Sequence, residues 1–211
     1  MSITYPLALP STRKWRSSNW ASQDRTAEVA SPFTGDGQAI VWPYQRWTPT
    51  LTLVSMKRAD AQEWAAWLRS LRGRSGTFLL GDPARPAPLG AAAFNPGTPL
   101  VKGAGQSGGS LLIDGAPASV AAWLKRGDLI QLGAGATARL HEISEVVNTS
   151  GSGEAALSLW PALRESPADN SAIVLTNPVG VFNRTSDVVE VPTDTAGFYD
   201  LAFDCVDTLR G

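Results

Sequence analysis

From 48 to 54 the chain alternates, with Leu51 and Leu53 on one side and Thr50 and Thr52 on the other. That period of two predicts a half-buried strand. A shorter strand is predicted over 38–42, with Ile40 and Trp42 on one side. The segment 31–37, Ser-Pro-Phe-Thr-Gly-Asp-Gly, is a turn by composition. The residues before it, with Pro6 and Pro10, read as irregular; there Arg13, Lys14 and Arg16 interleave with Trp15 and Trp20.

Over 58–72 the period changes. Ala61, Trp64, Leu68 and Leu71 recur at three- and four-residue spacing, Trp67 widens the apolar stripe, and neither Gly nor Pro intervenes. This predicts one amphipathic helix. Arg69 and Arg72 suit its C-terminal dipole, and Gly73 follows as a cap. A strand over 76–80 ends at Gly81-Asp82-Pro83.

The stretch 83–99, rich in Pro, Ala and Gly, reads as a connector. Five short strands are then predicted over 110–114, 129–132, 138–147, 155–160 and 172–175, separated by turns such as 125–128 and 150–153. Little helix and many short strands point to a small closed or half-closed barrel, OB-like or SH3-like. A second connector spans 177–180. Val188, Val189 and Val191 predict another strand. Tyr199, Leu201, Phe203 and Cys205 alternate with Asp200, Ala202 and Asp204, a half-buried strand with an acidic outer face. That strand needs a sheet, and the N-terminal strands offer one. The expected fold is therefore mainly β: a discontinuous β-sandwich with one α-helix, formed by 1–88 and 182–211, carrying an inserted small β-barrel over 89–181.

The chain has 211 residues, 43% hydrophobic and 18% charged, with a net charge of −1. The charged fraction lies below the usual ~25%, which fits faces covered by further protein. Neutrality gives no strong pull toward nucleic acid. Cys205 is the single cysteine, so no intrachain disulfide forms. The start, Met1 to Pro6, lacks a secretory pattern, and apolar runs such as 119–124 are too short to span a bilayer. A cytosol-like compartment, or a particle assembled there, is expected.

Candidate chemistry is thin. Gly103-Ala104-Gly105-Gln106-Ser107-Gly108 matches G-x-G-x-x-G, but a dinucleotide site needs a helix next, and a β-like run follows. The same segment contains G-x-S-x-G around Ser107, with Asp114 or Asp128 and then His141 in hydrolase order. The elbow also needs a helix. His141 falls within a predicted strand opposite Leu140, on a barrel's polar face. One His and one Cys, far apart, make no metal cluster. Arg126-Gly127-Asp128 spells an adhesion tripeptide and reads as a turn into the strand at Leu129. The expectation is no catalytic residue, no metal and no cofactor. The 8 Trp are the outstanding feature. Trp64 and Trp67 belong to the helix core. Trp15, Trp20, Trp42 and Trp47, among Arg13, Arg16, Arg25 and Arg46, are candidate subunit-interface residues, because Trp and Arg dominate interface hot spots.

Several segments taken in order resemble the distal tail proteins of long-tailed bacteriophages and gene transfer agents. They are Tyr5-Pro6-Leu7, Ser31-Pro32-Phe33-Thr34-Gly35, the helix with Glu63-Trp64 and Trp67-Leu68, and the run 71–83. In the inserted part they are 124–133 and 157–161, with Asn177-Pro178-Val179-Gly180-Val181-Phe182 closing it. The resemblance covers nearly the whole chain. It implies a structural virion protein whose sandwich forms a homo-hexameric ring at the tail tip. Such a ring continues the tail tube and docks the baseplate hub and receptor-binding parts. It would assemble in the bacterial host cytoplasm, with itself, the tail tube protein and the hub as partners, and with no membrane or sequence-specific nucleic acid. The alternatives are another minor tail or tube-completion protein, a carbohydrate-binding module using exposed Trp, and a serine hydrolase at Ser107.

Overall fold

The computed structural model describes residues 3–12 and 15–208, so Arg13 and Lys14 lie outside the described residues. Two strands, β1 (Trp15–Ala30) and β2 (Gly37–Leu53), form one long antiparallel hairpin from Trp15↔Leu53 to Ala30↔Gly37, with register shifts between Trp15 and Ser17 and between Gln23 and Arg25. The helix α1 (Arg58–Ser70) and strand β3 (Thr77–Leu80) follow. Next come β4 (Leu100–Val101), β5 (Gly108–Asp114), β6 (Leu129–Leu132), β7 (Arg139–Ile143), β8 (Ala155–Leu163) and β9 (Ile173–Val174). The chain ends on β10 (Gly180–Arg184) and β11 (Ala202–Asp207).

Two sheets result. The first has the order β1-β2-β11-β10-β3, and the second β4-β5-β8-β7-β6-β9. A bridge between Leu100 and Ala172 brings the ends of the second sheet together. Val101 N donates to Ser171 O at 3.0 Å, and Ile173 N to Pro99 O at 3.0 Å. The second sheet is thus a nearly closed barrel. The architecture is mainly β, a β-sandwich with one helix that carries this barrel. Strands from both ends of the sequence share the first sheet: Ala202, Phe203 and Asp204 pair with Thr52, Leu51 and Thr50. Strand β10 begins at Gly180, ahead of the expected boundary at 182.

The core of the first sheet is aromatic. Trp64 is fully buried, edge-on to Trp15 at 5.7 Å and to Trp67 at 5.5 Å. Leu68, Leu71, Phe78 and Phe203 complete it, as the helical spacing and the alternation imply. Leu129 and Leu140 join this same cluster, although they lie on barrel strands. Their neighbours Ile130, Leu132 and Ile143 face the barrel's own core. Strands β6 and β7 therefore stand between two cores, and all four residues of β6 are buried. The polar one, Gln131, is satisfied: its side chain donates to Gly133 O and accepts from Val179 N, both at 2.9 Å.

Four expectations need correction. The stretch read as irregular contains the 16-residue strand β1. It is an edge strand with little burial, so hydrogen bonds to β2 define it and no apolar alternation marks it. Val188 to Val191 form no strand; Pro192 cannot donate to a ladder, and the chain turns back so that Thr193 bridges Tyr199. The barrel has six strands, because the two-residue β4 is too short to show a period. His141 does not sit on a polar face. It and Leu140 are both buried, because β7 is covered on both sides.

Candidate functional site

The hairpin is the first candidate. Its lower half packs on the molecule and its upper half does not. Strand β11 covers β2 only over 50–52, and β1 has no outer neighbour among the described residues. Beyond Gln23 the hairpin is a two-stranded ribbon, on the order of 20 Å long at ~3.3 Å per residue. Exposed apolar side chains crowd it: Val29, Phe33, Ile40, Val41 and Trp42, with Phe33 at the tip 95% exposed. Serines and turns shape that tip, where Ser31 N donates to Asp36 O at 2.8 Å and Gly35 takes a φ of +75°.

The four candidate interface tryptophans separate along this hairpin. Trp42 stands out in solvent, 52% exposed. Trp15 and Trp20 are half-buried against the sandwich core. Trp47 is 3% exposed, donates its indole N–H to Leu140 O at 3.2 Å, and packs edge-on to Trp20 and Trp160. It joins sandwich to barrel within one chain and has no surface left for a neighbour. Arg25 and Arg46 lie over the Tyr44 ring, at 5.4 and 4.8 Å.

Trp20, Trp47 and Trp160 also border an open cleft of about 570 Å³ between hairpin and barrel. Arg85 crosses it, 5.7 Å from the Trp47 ring, and bonds Asp82 at 2.7 Å and Glu142 at 2.5 Å. Arg126 lies at its border. All three indole N–H groups are committed inside the chain, to Ser18, Leu140 and Asp24.

A second cavity, of about 350 Å³, lies at the seam where the barrel meets β11. Strand β7 brings Arg139 and His141 to it, the bend after β8 brings Arg164, and β11 brings Asp207. Arg164 Nη2 donates to Asp207 Oδ2 and to Gln45 O, both at 2.6 Å, and its Nη1 donates to Thr208 O at 3.0 Å. Asp207 Oδ1 is buried without a hydrogen bond. Burial pushes this carboxyl above its ordinary range, against the pull of Arg164, Arg139 and Arg46. His141 Nδ1 lies 2.7 Å from Pro161 O. Burial lowers His141 to about 4; the Pro161 carbonyl opposes this, and the charges of Arg164 and Arg139 add to it.

The hydrolase residues do not come together in an elbow. Ser107 is exposed on a glycine turn in which Gly103, Gly105 and Gly108 all have positive φ, and Gly108 opens strand β5. Gln106 staples that turn, accepting from Leu112 N at 2.6 Å and donating to Leu112 O at 3.0 Å. Asp128 is buried and accepts from the backbone N–H groups of Leu89, Gly90 and Lys125. It ties the connector to the turn at Gly127, a role sequence spacing had no means to show. Cys205 is buried with its thiol on Pro49 O at 3.3 Å, and burial pushes the thiol well up. No group of three or more metal-ligating side chains occurs among the described residues. No described helix is long and apolar enough to cross a membrane. No protein-family model matches the chain, and neither does any curated protein.

Proposed function

We propose that this chain is a structural virion protein, a distal tail protein. In this reading it forms a homo-hexameric ring that joins the tail tube to the baseplate hub and receptor-binding apparatus. The observation that carries the reading is the projecting ribbon. A two-stranded hairpin is marginal in water on its own. This one shows a free edge and apolar side chains on both faces, since Val41 and Trp42 are adjacent in the strand. Such an edge invites pairing with another chain. In a ring every copy offers the same ribbon to the next, so the exposed surface is covered and growth stops at closure. Trp42, Val41 and Phe33 are the anchors of that contact, which should bury more than ~1,000 Å².

The split sandwich with a single helix supports the same reading, because it matches the architecture that the sequence resemblance implies. The chain works in this role by assembly, without a catalytic residue or cofactor. The alternative of a carbohydrate-binding module has less support. The cleft's three tryptophans use their N–H groups internally, and Arg85 is already paired.

The test is mass photometry and electron microscopy of the purified full chain, followed by reconstruction of the particle. Six-membered rings, or a ring of this chain on the tail axis, are expected. A chain placed away from any axial ring would overturn the assignment.

A further inference from the structure

The seam cavity has walls from both units of the fold, and its lining is mostly apolar. Leu132, Leu140, Ala162, Leu163, Pro167 and Ala168 contribute to it. Its volume of about 350 Å³ falls within the range of small-molecule sites, roughly 300–1,000 Å³. At its edge Arg164 and Asp207 are paired with each other. Arg164 is bound to Asp207 Oδ2, Thr208 and Gln45, while Asp207 Oδ1 is buried without a hydrogen bond.

His141 is different. The Pro161 carbonyl only accepts, so the proton between them sits on Nδ1. The buried ring is neutral, which leaves Nε2 as a bare acceptor. Nε2 has no hydrogen bond to any described residue. His141 lines the cavity, and Nε2 is not among the fully buried atoms left without a partner, so a donor entering the cavity can reach it. The guanidiniums of Arg139 and Arg164 beside the ring disfavour a cationic donor. An anion without a proton has nothing to donate. A neutral donor on an apolar body is what remains.

We propose that the seam cavity is a binding site for a small neutral molecule with an apolar body and one hydroxyl or N–H group, which donates to His141 Nε2. Phenol is the simplest member of this class. The proposal does not rest on ring assembly: none of the exposed apolar residues of the ribbon lines this cavity.

His141 is the protein's single histidine, so its imidazole nitrogens give one unambiguous set of NMR signals. The experiment titrates the ¹⁵N-labelled full chain with phenol, and separately with anisole, which has the same ring and no donor. Phenol should move the Nε2 signal saturably and bind at least about tenfold tighter than anisole, the value of one hydrogen bond of about 1.4 kcal/mol. Ala168→Trp, at the exposed rim, should weaken phenol about tenfold or more while the free protein's His141 signals stay in place. His141→Phe should bring phenol down to the level of anisole; should that variant not fold, Ala168→Trp carries the test. The proposal is overturned by any of three results: no saturable shift with phenol, equal binding of phenol and anisole, or Ala168→Trp binding phenol as well as the parent protein.

Discussion

The two halves of the hairpin are built on the same strands and meet opposite fates. At the base, Leu51 and Leu53 are fully buried, Trp47 is nearly so, and Trp15 packs on Trp64. Above Gln23, Val29, Ile40, Val41 and Trp42 stand in solvent. Both halves are paired between the same two strands, with a register shift between Gln23 and Arg25 where they meet. What differs is what lies alongside. The base has α1, β11 and the barrel wall; the ribbon touches the barrel only at its foot, where Trp160 bonds Asp24. Apolar side chains at the base stabilise the fold, and those on the ribbon are free to stabilise only an association.

This contrast breaks most visibly at the base. Trp64→Ala should cost about 3–5 kcal/mol, because a fully buried indole leaves a cavity that its neighbours cannot fill. Urea melts measure it. A loss below about 1 kcal/mol would mean that the base is no better packed than the ribbon.

The seam that supports the base should respond to pH. His141 has a folded pKa of about 4 against an ordinary 6.5. Between those values the unfolded chain takes a proton that the folded chain refuses. Stability is therefore full above pH 6.5, falls as the pH drops toward 4, and loses about 3 kcal/mol in all. Asp207 works in the opposite sense: its folded pKa is raised, so acidification through that value returns some stability at the acid end. Melts of the parent protein and of His141→Leu across this range check the sign. A parent curve as flat as the variant's would show that His141 is not held neutral.

A somewhat smaller loss is expected from Arg164→Met, about 1.5–3 kcal/mol, the value of hydrogen bonds to a charged group. It leaves Asp207 with neither oxygen bonded by Arg164, and chemical denaturation near pH 7 reads it. Smallest in stability is the ribbon. Phe33→Ser with Val41→Ser and Trp42→Ser should leave each monomer within about 0.5 kcal/mol of the parent per site, as exposed positions do. The same triple variant should abolish ring formation in mass photometry and electron microscopy. Rings of undiminished stability would move the interface away from the ribbon. Ser107→Ala, on the exposed glycine turn, should change neither stability nor assembly.

The helix and most of the barrel were legible in the sequence, because each signals through its own period. Trp64, Leu68 and Leu71 line one face of a helix whatever surrounds it, and short apolar runs between turns mark strands wherever they end up. The alternation of Leu201, Phe203 and Cys205 likewise reports a one-sided strand, and it said that a sheet must exist to receive it. Strand β1 was not legible. Ser17, Ser18, Asn19 and Ser22 carry no apolar period, and only the ladder to β2 makes them a strand. The seam was not legible either. Local alternation put His141 and Leu140 on opposite faces and was right about that, but it could not say that both faces would be covered. Burial on two sides arises only when β6 and β7 are caught between two cores formed from distant parts of the chain. Periodicity is a property of neighbours along the sequence, so it marks the helix and the one-sided strands and says which way their side chains point. What each face meets, whether a core, a cavity or water, depends on contacts between residues far apart in the chain, as from Trp47 to Leu140 or from Pro49 to Cys205, and only the folded chain brings these together.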